Sequence, residues 1–204
     1  MKESKIYNLL LVSAYLLHIS DGQILEKSKQ HIADFIGKNY GRETIVDSLK
    51  VLGTLIDQQT ILISSGREDA VFLKLREAAS LLSDGTYENR MGLLAFFIGL
   101  SIEAEHIDVD KLHNVALILG LEEDEVDIML EMVNPHSEQS PREKALKILE
   151  LTADATDDDI KAAFRRLSLK YHPDRNLDKS VSEQKEAERK FKEVVAAKQF
   201  LDNI

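Results

Sequence analysis

Residues 157–176 read DDDIKAAFRRLSLKYHPDRN, and the interpretation of the C-terminal third of the chain depends on this stretch. Its apolar side chains recur at helical spacing and fall within a stripe of about 60° on a helical wheel: Ile160, Phe164, Leu167 and Tyr171. A threonine directly before three aspartates is typical of a helix N-cap with an acidic first turn. Because Pro173 disfavours helical geometry at the preceding residue, the predicted helix spans 157–171 and ends at Tyr171 or His172.

A second long helix supplies a packing partner for the first. It spans about residues 183–201 and is marked by AERKFKEVVAAKQFL, with an inward face formed by Ala187, Phe191, Val194 and Val195. A shorter amphipathic helix, REKALKILEL (142–151), precedes both and directs its leucines and an isoleucine to the core: Leu146, Leu149 and Ile148. The two long helices are predicted to pack as an antiparallel hairpin with His172-Pro173-Asp174 at its tip.

Basic side chains flank the apolar stripe of the first helix. They lie on its two shoulders, and the wheel places them as Lys161 with Arg165 and Arg166 with Lys170. Leu169 points nearly opposite the core. The sequence therefore predicts a cationic helix that leads to a rigid tip.

Three interpretations of the tip are open from the residues alone: an acid–base pair of His172 and Asp174, an ordinary turn, or a docking tip for another protein. The enzyme interpretation lacks a nucleophile, a Gly-rich phosphate loop and a metal-ligand set. Aspartates beside the basic helix and missing aromatic stacking groups argue against nucleic acid. We expect no catalytic residue, no metal, no cofactor and no nucleic-acid partner.

The clearest boundary is VNPHSEQSPRE (133–143), which holds two of the three prolines in polar surroundings. Pro141 suits the first turn of a new helix, where its missing N–H costs nothing. We place a linker at 134–141, between a domain of residues 1–133 and a domain of residues 142–204.

The N-terminal domain is predicted to be all-α, with about seven helices and an internal repeat. A shift of 83 residues aligns apolar positions and a glycine: Leu10, Leu11, Leu17, Ile19, Ile24 and Gly37 with Leu93, Leu94, Leu100, Ile102, Ile107 and Gly120. Each copy reads as an apolar helix, a polar loop (HISDGQI or SIEAEHI) and an amphipathic helix. The two glycines are predicted to occupy left-handed positions after a helix end. TILISS (60–65) is ambiguous between helix and strand.

Composition is that of a globular protein, with 44% apolar and 30% charged residues and no cysteine. The missing cysteines exclude disulfides, Cys-ligated zinc and thiol catalysis. The apolar runs 9–17 and 91–102 are shorter than the roughly 18–20 residues that cross a bilayer, and no signal-peptide pattern starts the chain. We expect a cytoplasmic protein without a transmembrane segment.

Charge divides unevenly between the two parts of the chain, whose net charge is −10. Residues 1–140 hold 12 basic and 23 acidic side chains, whereas residues 141–204 hold 14 and 13. This asymmetry indicates two units with different partners and argues against nucleic acid as a ligand of the first.

The stretch 157–176, followed by KFKEVVAAKQFL, resembles the J-domain of the DnaJ family over about residues 142–204. An HPD tripeptide after a basic helix with this aromatic spacing makes the resemblance specific. It implies a domain that binds a DnaK-type chaperone and stimulates its ATP hydrolysis. The resemblance implies these partner-binding residues: the tripeptide His172, Pro173 and Asp174, the basic residues Lys161, Arg165, Arg166 and Lys170, and the following Arg175 and Asn176.

Asp174 can accept hydrogen bonds, or it can pair with Lys161, with Arg165 or with an arginine of the partner. The chain departs from common J-domains in a longer loop before Phe191, as in the DjlA-like class, and in Lys198 where an aromatic residue is usual. We also expect no fourth helix, no Gly/Phe-rich segment and no CxxC zinc region, which would be typical of a minimal J-domain protein.

Residues 5–133 resemble the TerB-like family of helical domains, through Ser20-Asp21-Gly22-Gln23-Ile24 and LGLEEDEVDIMLEMV. Some members are linked to metal ions through acidic residues, and the corresponding candidates here are Asp21, Glu103, Glu105 and His106. Ala104-Glu105-His106 replaces the aspartate–glycine pair in the second copy, so solvated loop residues are the favoured interpretation.

Together these patterns predict a two-domain, all-α co-chaperone of a DnaK-type ATPase. The N-terminal domain would target the protein, bind a client or form a homodimer. The alternative is a stress-linked scaffold protein in which the TerB-like domain carries the function and the J-like segment is secondary.

Overall fold

The computed structural model describes residues 2–17, 25–82, 85–133, 137 and 139–203. Within these residues the chain forms ten α-helices and no β-strand, which confirms the predicted all-α class. The fold divides into two compact units, residues 1–122 and 123–204. No helix in the described ranges is long and apolar enough to cross a membrane.

The first unit contains α1 (Lys2–Leu16), α2 (Glu26–Tyr40), α3 (Ile45–Ser64), α4 (Glu68–Leu82), α5 (Tyr87–Glu103) and α6 (Val109–Ile118), with a 3₁₀ turn at Arg42–Thr44. Helix α1 packs against α3 and α4 and is buried on every face from Asn8 to Leu16, with Leu9, Leu10 and Ala14 at most 1% exposed. Helix α5 is buried in the same way through Phe96, Phe97 and Leu100.

The predicted repeat corresponds to α1–α2 and α5–α6. Its first loop, residues 18–24, lies outside the described residues. Helix α6 ends as predicted, because Gly120 has a φ of 72° and Leu121 N–H donates to the Ala116 carbonyl over 2.9 Å. The ambiguous stretch 60–65 is helical up to Ser64, the last residue of α3.

The prediction for Gly37 is wrong. Helix α2 continues through it to Tyr40, and Gly41, with a φ of 100°, follows the helix instead. A Cβ at Gly37 would lie 3.2 Å from Ile45 Cδ1. Close packing against the start of α3, rather than helix termination, therefore explains this glycine.

The second unit contains α7 (Glu123–Val133), α8 (Pro141–Ile148), α9 (Asp157–Tyr171), a 3₁₀ turn at Pro173–Arg175 and α10 (Val181–Asn203). Helix α9 has the predicted limits, and α10 extends two residues beyond its prediction at each end. Pro141 stands in the first turn of α8, as predicted. The predicted linker falls partly on residues 134–136 and 138, outside the described residues.

Helix α7 belongs to the second unit because it packs against α10 and α8. Lys192 of α10 is 8% exposed, and its Nζ lies 2.8 Å from Asp124 Oδ2 and 3.6 Å from Glu125 Oε1. Glu125 is itself only 3% exposed. The compact units thus divide the chain before α7 rather than after it, and the domain limits 1–133 and 142–204 stay a prediction.

Candidate partner-docking site

Helix α9 begins at a reciprocal capping box. The Thr156 N–H donates to Asp159 Oδ2 over 2.9 Å, and the Asp159 N–H donates to Thr156 Oγ1 over 3.2 Å. These bonds satisfy backbone donors that have no partner within the helix. The hydroxyl and backbone N–H of Thr156 hold the pKa of Asp159 below its usual value. The start of the cationic helix is therefore fixed by its own sequence.

The inner face of α9 packs toward α10. Ile160, Ala163 and Leu167 are at most 5% exposed, and Val194 and Val195 of α10 are at most 2% exposed. Phe164 and Tyr171, predicted on this face, are half-buried at its margin, and so is Phe191. Leu169 is 56% exposed, as its position on the wheel predicts.

Lysine side chains lie near the rings of Phe164 and Tyr171. Lys198 Nζ lies 5.9 Å from the centre of the Phe164 ring, and Lys198 also pairs with Asp202. Lys170 and Lys190 lie 4.8 Å and 5.5 Å from the centre of the Tyr171 ring. Lys198, at a position where an aromatic residue is usual, thus faces the half-buried Phe164 ring with its cation.

The tip follows α9 directly. His172 leaves helical geometry with φ −56° and ψ 132°, and Pro173 opens the 3₁₀ turn. Asn176 is 2% exposed, and its Nδ2 donates to the Lys170 carbonyl over 3.2 Å and to the His172 carbonyl over 2.7 Å. The amide therefore satisfies carbonyl groups at the helix end and folds the chain back on itself.

His172 and Asp174 contact each other within the tip. The Asp174 N–H donates to His172 Nδ1 over 3.2 Å, and Asp174 Oδ2 lies 3.8 Å from the same nitrogen. Because Nδ1 accepts a hydrogen bond, this geometry places the proton of a neutral ring on Nε2. The ring packs edge-on against Phe191 at a centroid distance of 5.5 Å. The His172 and Asp174 side chains are 44% and 83% exposed, so both remain accessible to a partner.

Of the alternatives for Asp174, pairing with Lys161 or Arg165 is not found among the described residues. Lys161 Nζ lies 3.5 Å from Asp158 Oδ1, one turn earlier on α9. A local pair three residues apart requires no chain reversal, whereas Asp174 lies beyond the helix end. Arg165 is exposed on the same shoulder.

Arg166 on the other shoulder is held by a residue that the sequence did not suggest. Its Nη1 donates to Glu150 Oε2 over 2.7 Å. Glu150 follows α8 with a φ of 58°, a left-handed conformation that normally favours glycine. The bond from Arg166 is the main reason that the pKa of Glu150 lies below its usual value. The two residues are 16 positions apart, so no local pattern identifies the pair.

The candidate metal ligands Glu103, Glu105 and His106 of the first unit lie at the end of α5 and directly after it. Glu105 lies two residues after the end of α5 with a φ of 54°, and its Oε1 lies 3.3 Å from Lys27 Nζ. Glu103, Glu105 and His106 do not group as a ligand set in the described part of the chain, and Asp21 lies outside it. Glu105 therefore has a structural contact of its own.

Comparison with known proteins bears on the second unit alone. The DnaJ domain family matches residues 144–204. Similar sequences are the chaperone protein DnaJ of Campylobacter hominis (54% identical over 57 residues, 28% of this chain and 14% of the relative) and that of Mycoplasmoides gallisepticum (51% over 57 residues, 28% and 13%). That of Neisseria gonorrhoeae is 57% identical over 49 residues, 24% of this chain and 12% of the relative.

The matched segment thus spans less than a sixth of the length of these relatives. No solved structure matches the chain significantly. The TerB-like resemblance of residues 5–133 stays a prediction.

Proposed function

Residues 144–204 are a DnaJ domain, and we propose that this domain makes the chain a co-chaperone that binds a DnaK-type chaperone and stimulates its ATP hydrolysis. The observation that carries this proposal is the tip after α9. His172, Pro173 and Asp174 form a closed, exposed turn at the end of a helix with four cations. The hydrolysis takes place on the partner, and no residue of this chain makes or breaks a bond.

The tip supports docking because it is ordered before the partner arrives. Pro173 restricts the backbone, and the Asn176 amide closes the turn, so little conformational entropy remains to be lost on binding. The proton on His172 Nε2 is a donor, while the Asp174 carboxylate is an acceptor suited to an arginine of the partner. Asn176, with its amide turned inward, acts on the shape of the tip rather than on the partner.

The basic residues of α9 provide attraction toward an acidic surface. Lys161 and Arg165 are exposed on one shoulder, and Lys170 is exposed on the other. Such a row of cations accelerates encounter with a negatively charged partner. Arg166 pairs with Glu150, so it can contribute to docking only by exchanging this ion pair for one with the partner.

The first unit, with its acidic sequence, is proposed to target the protein, to bind a client or to form a homodimer. We propose that this activity takes place in the cytoplasm, where a DnaK-type partner has access to ATP.

The proposal is tested by single-turnover ATP hydrolysis on a DnaK-type chaperone, with and without the full chain. We expect stimulation by the unaltered chain and none by His172→Gln, which keeps a polar side chain but replaces the imidazole ring. The matched control is Lys147→Gln, on the exposed side of α8 and away from the tip. This variant should stimulate as the unaltered chain does.

Stimulation that survives His172→Gln, or that is absent with several candidate chaperones and a folded chain, would contradict the proposal. The scaffold alternative, in which the first unit carries the function, would then be preferred. Circular dichroism of each variant establishes that the helices are intact before the kinetics are interpreted.

A further inference from the structure

A cavity of about 260 Å³ lies in the first unit between α1, α3, α4 and α6. Part of its lining is apolar or aromatic and comes from Tyr15, Ile63, Val71 and Phe72. Phe72 packs edge-on against Tyr15 at a centroid distance of 5.8 Å and remains 37% exposed. The cavity therefore combines an accessible aromatic ring with aliphatic walls.

The polar lining carries an excess of negative charge. Glu68, Asp108 and Asp110 face one cation, Lys111. Lys111 Nζ lies 3.8 Å from Asp108 Oδ2 and 5.4 Å from the centre of the Tyr15 ring. Neither Glu68 nor Asp110 pairs with a cation among the described residues. Two lining carboxylates are thus outside any ion pair within the described ranges of the chain.

We propose that this cavity binds an arginine side chain of another polypeptide. A planar guanidinium stacks on an aromatic ring and donates in parallel to a carboxylate, which matches Phe72 beside Glu68 and Asp110. The aliphatic part of the arginine would lie against Ile63 and Val71. An anionic ligand is disfavoured by the excess of carboxylates, and a purely apolar ligand would leave them desolvated without a partner.

The test is a titration of the full, isotope-labelled chain, observed by NMR, with the peptide acetyl-Ala-Leu-Arg-Leu-Ala-amide. The control peptide replaces arginine by citrulline, which has nearly the same shape but no charge. We expect the arginine peptide to bind at least about fivefold more tightly and to shift the resonances of Phe72 and Lys111. Equal affinities, shifts confined to other regions, or no saturable shift with either peptide would overturn the proposal.

A pair of neighbouring variants separates this cavity from general charge attraction. Glu68→Gln removes a lining carboxylate, whereas Asp69→Asn removes an exposed carboxylate from the same first turn of α4. We expect Glu68→Gln alone to remove most of the preference for arginine over citrulline. An equal loss in both variants would overturn the proposal. The titration contains no chaperone, so its outcome is independent of the ATPase experiment.

Discussion

Asn176 shows how a single side chain determines the shape of the tip. Sequence resemblance placed it among the partner-binding residues, but its amide lies inside the turn and is 2% exposed. It donates to the carbonyl of Lys170 in the last turn of α9 and to that of His172, the residue after the helix. An asparagine after HPDR carries no local sign of this inward orientation, because its direction depends on the turn that it closes.

Replacing Asn176 by alanine is expected to lower the free energy of unfolding by about 1–3 kcal/mol, because two carbonyl groups lose their donor. Asn176→Asp should be worse at neutral pH, since a carboxylate would face carbonyl oxygens. Urea unfolding measures both changes. The control is Leu177→Ala, whose side chain is 70% exposed and whose loss should change stability by less than about 0.5 kcal/mol. Equal stability of the Asn176→Ala and Leu177→Ala variants would contradict a stabilising role of the Asn176 amide.

At the scale of elements, three helices of the second unit begin in the same way. Ser140 with Glu143, Thr156 with Asp159, and Ser180 with Glu183 form reciprocal pairs at the starts of α8, α9 and α10. Hydrogen bonds to the capping residue hold the pKa of each carboxyl below its usual value. Each helix start therefore depends on an ionised carboxylate.

Acidification is expected to destabilise these helix starts. A carboxyl whose pKa is lower in the folded chain contributes stability above its unfolded pKa, and this contribution is lost as the pH falls through the folded pKa. The melting temperature should thus decrease from pH 7 toward pH 3. In the triple variant Glu143→Gln, Asp159→Asn and Glu183→Gln, the decrease should be smaller. Parallel pH profiles of the two proteins would refute this account. Calorimetry at several pH values measures it.

The limits of α9 could be predicted because their signals are local: a threonine before aspartates and a proline after the last turn. The end of α2 was harder to predict, because Gly37 packs closely against a helix that comes later in the chain. The pairs Arg166–Glu150 and Lys192–Asp124 join residues far apart in sequence. Such contacts follow from how helices pack, which periodicity alone does not determine.

On the scale of the whole molecule, α7 packs within the second compact unit, whereas the predicted domain limits include it in the first domain. Its acidic first turn predicted only a favourable helix start, but two of those acids also meet Lys192 of α10. A proline-containing linker after α7 is a strong boundary signal, yet contacts rather than linkers define a compact unit.

Lys192→Met is expected to destabilise the second unit by about 3–5 kcal/mol, because the buried Glu125 and the neighbouring Asp124 would lose their ion pairs with Lys192. The double variant Lys192→Met with Glu125→Gln should recover part of this loss. Lys190→Met serves as the control, since Lys190 pairs with Glu186 at the surface and should have a much smaller effect. Chemical denaturation of the full chain provides the comparison. A small effect of Lys192→Met would mean that α7 is not held by this charge.

If docking uses the basic helix, stimulation of the chaperone should fall steeply with salt. The Debye length decreases from about 10 Å at 0.1 M to about 3 Å at 1 M, so attraction between exposed charges weakens. ATP hydrolysis is measured with and without the chain at each salt concentration. The difference separates stimulation by the chain from the chaperone's own response to salt. Arg165→Gln should give lower stimulation and a shallower salt dependence. Stimulation that does not change with salt would exclude steering by this helix.

The bonds that close the tip have a consequence for how this protein tolerates change. They join atoms of residues 170–176, from the Asn176 amide to the Lys170 carbonyl and from the Arg175 N–H to the His172 carbonyl. These backbone and amide bonds lie within seven consecutive residues, while the His172 ring depends in addition on Phe191 of α10. A protein engineer should therefore be able to graft the heptapeptide onto another helical hairpin that offers an aromatic side chain at the place of Phe191.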